Sequence, residues 1–388
     1  MKSFPAFVRG TLVLAGLALL AACNSSNKKP DAPAKLEDFK PTAQVQKLWS
    51  ASVGGGKPKL RLGLDVALQD GRVFAAGYNG DVAAFDVKNG KRLWITDTKL
   101  QLTGGPGVGA GLVVAGARFG DLVALDAATG TRKWHTRINS EILSAPLVTA
   151  QHVLLRTVDG RVSSFSTADG KLEWSAEQQV PRLSLRGVSV PAVTAEAVIA
   201  GFDNGKVMAL QQRNGDTIWE ATVAPPSGRS ELDRLVDIDA AVKTIGNDIY
   251  AVTFQGKVAR IDMETGQIQW SRDMSSYSGM AFDDDGLYVT SSQGSLVKIG
   301  RRTGVEMWKV DSLHNRRLSP PAVVGNLVAT ADLKGIVHFF DAATGALAAR
   351  VKTSGDRVTA APVVSGDTII LMDTEGKLSA LRVVAAGK

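Results

Sequence analysis

The sequence predicts an all-β protein, an eight-bladed β-propeller of four-stranded antiparallel blades. Three observations carry that reading. A phrase ending in tryptophan recurs along the chain. A second glycine stands ten residues before each phrase glycine. The two ends of the repeat region each hold part of one blade.

The tryptophans are Trp49, Trp94, Trp134, Trp174, Trp219, Trp270 and Trp308, and the last six end a common phrase. Its cleanest copy is Ala124-Leu125-Asp126-Ala127-Ala128-Thr129-Gly130-Thr131-Arg132-Lys133-Trp134, and a copy at Asp341–Ala349 keeps Asp-x-x-Thr-Gly without the tryptophan. The paired glycines are 80/90, 120/130, 160/170, 205/215, 256/266, 294/304 and 335/345, and Gly376 is an eighth early glycine with no phrase after it.

Each unit reads as four strands. The first is small and apolar, as in Ser144–Val148, and Pro106, Pro146, Pro191, Pro321 and Pro362 fall near its start. Such a strand suits the inner edge of a blade, where a missing N–H is tolerated. The second is aliphatic, as in Leu112–Ala115, and a turn such as Asn79-Gly80 follows it. The third alternates, as in Asp121–Asp126. The phrase then turns on Asp and Gly, and the fourth strand presents tryptophan as an apolar plate for the next unit.

The ends supply the closure. The last unit stops after its third strand at Lys377–Val383, and Val45–Ser50, around Trp49, reads as a stray fourth strand. Docking one on the other seals the ring and removes an open edge.

Upstream of the ring, Lys2 and Arg9 precede an apolar run, Thr11–Leu20, too short to span a bilayer and of the length of a secretory leader. Leu20-Ala21-Ala22-Cys23 follows and resembles a bacterial lipobox, in which the cysteine is acylated and becomes the new N-terminus. An ordinary leader with a chance cysteine is the alternative. Asn24 stands where an aspartate would signal inner-membrane retention, which favours the periplasmic face of the outer membrane. The chain therefore divides into a leader at 1–22, a lipidated tether at 23–46, polar and with three prolines, and a propeller at 47–388.

Composition narrows the chemistry. With one cysteine and four histidines, a thiolate zinc site, a disulfide framework and a CxxC redox pair are excluded. The net charge of +7 is spread along the chain, which gives no sign of a nucleic-acid partner. His135, His152, His314 and His338 occupy unrelated repeat positions and read as structural or solvated. Asp283-Asp284-Asp285-Gly286 lacks the alternating oxygens and distal glutamate of a calcium loop and reads as a turn. No catalytic residue, metal or cofactor is expected. A periplasmic quinoprotein-type or small-ligand-binding propeller is the alternative function.

The irregular spacing is informative. Successive early glycines lie 40, 40, 45, 51, 38, 41 and 41 residues apart. The excess falls at Gln178–Arg186, entering the fourth unit, and Ala221–Asp239, entering the fifth. Both join an outer strand to the next inner one, so both emerge on one face, side by side. They contain Leu183, Leu185 and Arg186 in one loop and Arg229, Glu231, Arg234, Asp237 and Asp239 in the other. Apolar anchors beside arginine and carboxylate suit an interface on a rigid scaffold. Two readings stand: loops that close over each other, with Arg186 paired to Asp237 or Asp239, or a partner-binding patch.

The phrase Ala-x-Asp-x-x-Thr-Gly-x-x-x-Trp resembles the tryptophan docking motif of the pyrroloquinoline-quinone (PQQ) propellers. The catalytic members typically add an adjacent cysteine pair, calcium-binding carboxylates and a catalytic aspartate, and this chain has no second cysteine. Repeat, lipobox, Leu183-Ser184-Leu185-Arg186-Gly187 and Asp237-Ile238-Asp239 together resemble the BamB family, lipoproteins of the outer-membrane β-barrel assembly machinery, over essentially the whole chain. The resemblance implies a non-catalytic scaffold anchored through Cys23. Its Leu-x-Leu-Arg and Asp-x-Asp segments would contact the POTRA domains of BamA, with the rest of the complex and unfolded β-barrel substrates as further partners. Pro225-Pro226-Ser227-Gly228 departs from the family pattern.

Overall fold

A computed structural model describes residues 32–55 and 62–384, so Cys23 and the leader expected at 1–22 lie outside the described residues. Every regular element among them is a strand, and the strands form eight sheets. Blade 3 shows the common plan, with strands Leu147–Val148, His152–Arg156, Arg161–Ser166 and Leu172–Glu177 hydrogen-bonded in that order from axis to rim. The inner strands of blades 3 and 4 are only two residues long, Leu147–Val148 and Ala192–Val193. Pro146, Pro191, Pro321 and Pro362 each stand immediately before the inner strand of their blade.

Blade 8 is built from both ends of the chain. Val363–Ser365, Thr368–Met372 and Lys377–Val384 supply three strands, and Gln44–Ser52 pairs antiparallel with the third, from Gln44 opposite Val384 to Ser52 opposite Lys377. The expected closure is therefore present, with the strand starting at Gln44. Blade 2 carries an addition: Gly63–Leu64 pairs in parallel with its inner strand, Leu102–Gly109.

The apolar cores lie between neighbouring blades. Leu112, Val114 and Ala124 of blade 2 pack with Val153, Leu155 and Phe165 of blade 3, and Trp134 closes that layer at the rim. The phrase explains how. In each outer pair the register slips by one residue just before the tryptophan, as between Arg132 and Trp134 or Phe165 and Ser164 opposite Leu172 and Trp174. A bulge of this kind re-aims the following side chain. It swings the indole onto the next blade, where Nε1 donates to a phrase carbonyl: Trp49 to Val87, Trp134 to Thr167, Trp174 to Gln212, Trp270 to Arg301. Gly170 takes φ +71°, and a Cβ there would lie 2.5 Å from the Trp134 ring, so glycine is required twice over. The bulged residue itself is left outside, which is why Leu93, Ile218 and Met307 are exposed.

The phrase aspartate works as expected. Asp126 Oδ1 accepts the amides of Ala128 and Thr129. The lysine Lys133, the Thr129 amide and the Thr129 hydroxyl hold its carboxyl down to about 2. The early glycine marks the opposite face. Gly160 ends the turn between the second and third strands, and its carbonyl accepts the amide of Gln178 as the chain leaves the outer strand. Gly205 accepts Val223 in the same way. The connections from one blade to the next thus share a face with these turns, hereafter the loop face.

Part of the segment expected to be a tether is packed on the ring. Residues 34–43 lie along the rim of blade 7. The Ala34 amide donates to His314 O, Arg316 donates to Ala34 O at 2.8 Å, and Arg350 donates to Glu37 O at 3.0 Å and covers the Phe39 ring. Leu36 packs against the core of blades 6 and 7. At the other end Thr42 and Ala43 donate to Ala348 O. The absent tryptophan of the seventh phrase has its reason here. Ala349, where the other phrases carry tryptophan, lies in the core of blades 7 and 8, with Ala43, Val45 and Val383 packed against it.

Candidate functional site

The two long connections run from Glu177 to the inner strand Ala192–Val193 of blade 4, and from Thr222 to the inner strand Lys243–Ile245 of blade 5. They lie side by side on the loop face, as their spacing predicts.

The second is the more firmly seated. Leu235, Val236, Ile238 and Ala240 are buried, and Ile238 fills the space beside Gly201 between blades 4 and 5. The Ile238 amide donates to Phe202 O, and Asp237 O accepts from Phe254. With Ile238 facing the core, its neighbours Asp237 and Asp239 turn toward the first loop. Asp237 Oδ2 accepts the backbone N–H of Leu185. Asp239 packs its carboxylate against Gly187, where no Cβ would fit.

Both aspartates are buried, Asp237 completely. Burial drives the Asp237 carboxyl up to about 7, opposed by the Leu185 amide and assisted by Asp239 and Asp203, with Arg156 opposing at longer range. Arg156 and Asp203 form a buried pair directly below, at 2.5 Å, with the guanidinium 5.1 Å from the Phe202 ring centre. Of the two carboxylates the sequence offers Arg186, Asp237 and Asp239, the first is engaged by the Leu185 amide, and the arginine makes a bidentate pair with Glu141. Arg186 Nη1 and Nη2 reach Glu141 Oε2 and Oε1 at 3.0 and 2.7 Å, and Glu141 belongs to the connection entering blade 3.

What remains outward is compact in composition. Leu183 is 39% exposed and Leu232 65%, Leu185 is half-buried, and Arg182, Arg229 and Arg234 are exposed. Leu232 sits in a turn closed by reciprocal bonds, the Ser230 amide to Asp233 and the Asp233 amide to Ser230. Arg234 Nε braces that turn through Gly228 O. Of the six site residues expected from sequence, then, Leu183, Leu185, Arg186 and Arg234 reach the surface, and Asp237 and Asp239 lie beneath. Leu232 and Glu141 were not among those expected. Leu232 carries a readable signal, a large apolar residue in the polar run Ser227–Asp233.

Toward the axis, Asp65, Ser144, Arg186, Asp239 and Tyr277 line a cavity of about 120 Å³. Asp65 is pushed up to about 6 by burial, against the pull of Lys243. Pockets for drug-sized molecules start at about 300 Å³. Among the described residues no group of three or more His, Cys, Asp or Glu side chains is placed to hold a metal ion. Asp283 instead accepts the amides of Asp285 and Gly286 and the Tyr288 hydroxyl, forming the turn expected there. His338 is buried against Asp332, which Arg316 also engages, and His135 and His152 pair with Asp121 and Glu173.

Fold and surface together define a closed propeller of the PQQ-like repeat with one built-out patch on its loop face. A family profile described as "Outer membrane protein assembly factor BamB" matches residues 78–310 and 292–386. A protein of that name from Alkalilimnicola ehrlichii is 44% identical over 376 residues, 97% of each chain. The crystal structure of BamB from Moraxella catarrhalis superposes with a TM-score of 0.80 at 27% identity, over 87% of this chain and 100% of that one. The chain belongs to the BamB family. A quinohemoprotein alcohol dehydrogenase from Comamonas testosteroni also superposes, with a TM-score of 0.69 over 89% of this chain and 77% of that one, but at 14% identity it shares the fold alone.

Proposed function

We propose that this protein is a lipid-anchored, non-catalytic scaffold of the outer-membrane β-barrel assembly machinery, docked on the POTRA domains of BamA through the loops of blades 4 and 5. Acylated Cys23 holds it at the outer membrane, facing the periplasm. The scaffold supports folding and insertion of β-barrel proteins by orienting that periplasmic arm. Family membership supports the assembly role.

One observation carries the docking face. The two longest blade connections are tied to each other through Leu185 and Asp237, and leave Leu183 and Leu232 outside among arginines. A loop folded only to fill its own space would bury those leucines. Holding them out costs solvation, which a partner surface recovers on binding. The two aspartates serve that surface from below, by shaping the first loop.

The test is affinity purification of the intact protein from detergent-solubilised outer membranes. The reading expects BamA among the captured proteins, and expects Cys23→Ser to release the protein from the membrane fraction without unfolding it. Recovery of no assembly component, or a Cys23→Ser protein still extracted only by detergent, contradicts it.

A further inference from the structure

The loop that carries Leu183, Leu185 and Arg186 is held from both sides. Asp237 takes the Leu185 amide from the blade 5 side. On the blade 3 side stands Glu141, in the connection between Arg137 and Leu147.

Glu141 is presented by a rigid stretch of backbone. Its neighbour Ile142 is fully buried, with its carbonyl accepting the Thr103 hydroxyl at 2.7 Å and its side chain against Gly116 of blade 2. The Glu141 side chain is 18% exposed and the Arg186 side chain 38%. The two planar groups meet with two parallel N–H···O bonds, the geometry that fixes orientation as well as distance. A flexible surface pair would show neither the fork nor the anchored carboxylate.

We propose that Glu141 is a positioning residue for the partner face, holding the Arg186 guanidinium and with it the Leu183–Gly187 turn in the shape the partner meets. The role rests on the docking reading above and involves no contact of Glu141 with the partner. It extends the site from two blade connections to three, those entering blades 3, 4 and 5. In this arrangement Glu141 and Asp237 act on opposite sides of one turn, the first through a side chain and the second through a backbone amide.

The experiment uses the full chain, with and without the POTRA region of BamA as probe. Amide hydrogen exchange at residues 183–187 is measured in the free protein for the wild type, Glu141→Gln, and the exchanged pair Glu141→Arg with Arg186→Glu. Glu141→Gln is expected to speed exchange at these amides about fivefold, the loss of a partly buried ion pair, while the blade strands keep wild-type protection. The exchanged pair is expected to restore protection. BamA capture is expected to fall for Glu141→Gln in proportion to the exposed amides.

Unchanged exchange in Glu141→Gln overturns the proposal. So does weakened capture without faster exchange, since Glu141 would then touch the partner itself. Failure of the exchanged pair to restore protection overturns it as well. If no variant, nor the wild type, captures BamA while exchange responds as expected, the docking reading fails and the positioning of the turn stands.

Discussion

The backbone amide of Leu185 donates to the carboxylate of Asp237, a residue of the next blade connection buried from solvent. This bond converts two loops on neighbouring blades into one surface. It also separates two kinds of residue in the patch: leucines and arginines that face outward, and aspartates that shape them from below.

A pH dependence follows from the burial of the same carboxyl, which outweighs the opposing pull of the Leu185 amide. The Asp237 carboxyl lies at about 7 in the folded protein against 3.8 for a free group, so the native state keeps a proton that the unfolded chain releases. A pKa raised by folding contributes stability that is full below pH 3.8 and is lost as pH rises through 7. The unfolding free energy of the wild type, relative to Asp237→Asn, should therefore fall across that window and level off above about pH 8. Denaturant titrations at several pH values check this. A difference that rises with pH contradicts the assigned burial.

The contact between phrase glycine and tryptophan can be isolated with two glycine-to-alanine changes. Gly170 and Gly246 both have positive φ, +71° and +57°, but only Gly170 faces an indole, and nothing lies within 4 Å of a Cβ on Gly246. Gly246→Ala should cost about 1 kcal/mol from backbone strain alone. Gly170→Ala should cost about 2 kcal/mol more, because Trp134 must move out of its layer. Equal losses in equilibrium unfolding would show that the indole contact carries no energy.

Ring closure and the segment before it give a third test. Trp49 is 8% exposed and donates to Val87 O, so Trp49→Ala should cost about 3–5 kcal/mol. Leu36→Ala with Phe39→Ala should lower the melting temperature by a few degrees, about 1–2 kcal/mol of lost packing along blade 7. Thermal unfolding measures both. An unchanged melting temperature for the Leu36/Phe39 pair would show that the packing of residues 34–43 adds no stability.

The buried pair below the loops provides a fourth. Replacing Arg156 by Met leaves Asp203 buried without its cation, in a neighbourhood that already holds Asp237 and Asp239. Removing one partner of such a pair typically costs about 3–5 kcal/mol. Asp203→Asn made together with Arg156→Met should recover much of the loss, as a double-mutant cycle would show. No recovery would place the cost in the packing of Arg156 on Phe202 instead.

The architecture is legible in the sequence because it is repeated. Gly170 and Trp134 recur as a pair in every complete unit, and a repeated contact leaves a repeated signal. The closing strand is legible for a related reason, since Trp49 is a phrase ending with no phrase before it. The strap at 34–43 is not periodic. Its contacts are single events, such as Arg350 with Glu37 and Phe39, and no spacing announces them. The patch lies between these cases. Loop length and composition pointed to blades 4 and 5, yet the partner of Arg186 could not be read. Opposite charges in adjacent loops suggested Asp237 or Asp239. The structure gives Asp237 to the Leu185 amide and brings Glu141 to the arginine from the other side, from a connection whose length and composition carry no signal.

The central claim, that the blade 4 and 5 loops form the docking face, is tested most directly by capture of BamA with paired variants on the same face of the ring. Leu183→Ala with Leu232→Ala removes the outward leucines of the patch, and Phe119→Ala removes an equally exposed aromatic on blade 2, 60% accessible. After circular dichroism confirms the fold of each, binding of the purified proteins to the POTRA region is measured. The leucine variant should bind about 30-fold more weakly, the loss of about 2 kcal/mol expected of a true anchor pair, and Phe119→Ala should bind like the wild type. Wild-type binding by the leucine variant together with loss of binding by Phe119→Ala would place the partner elsewhere on the ring and contradict the account.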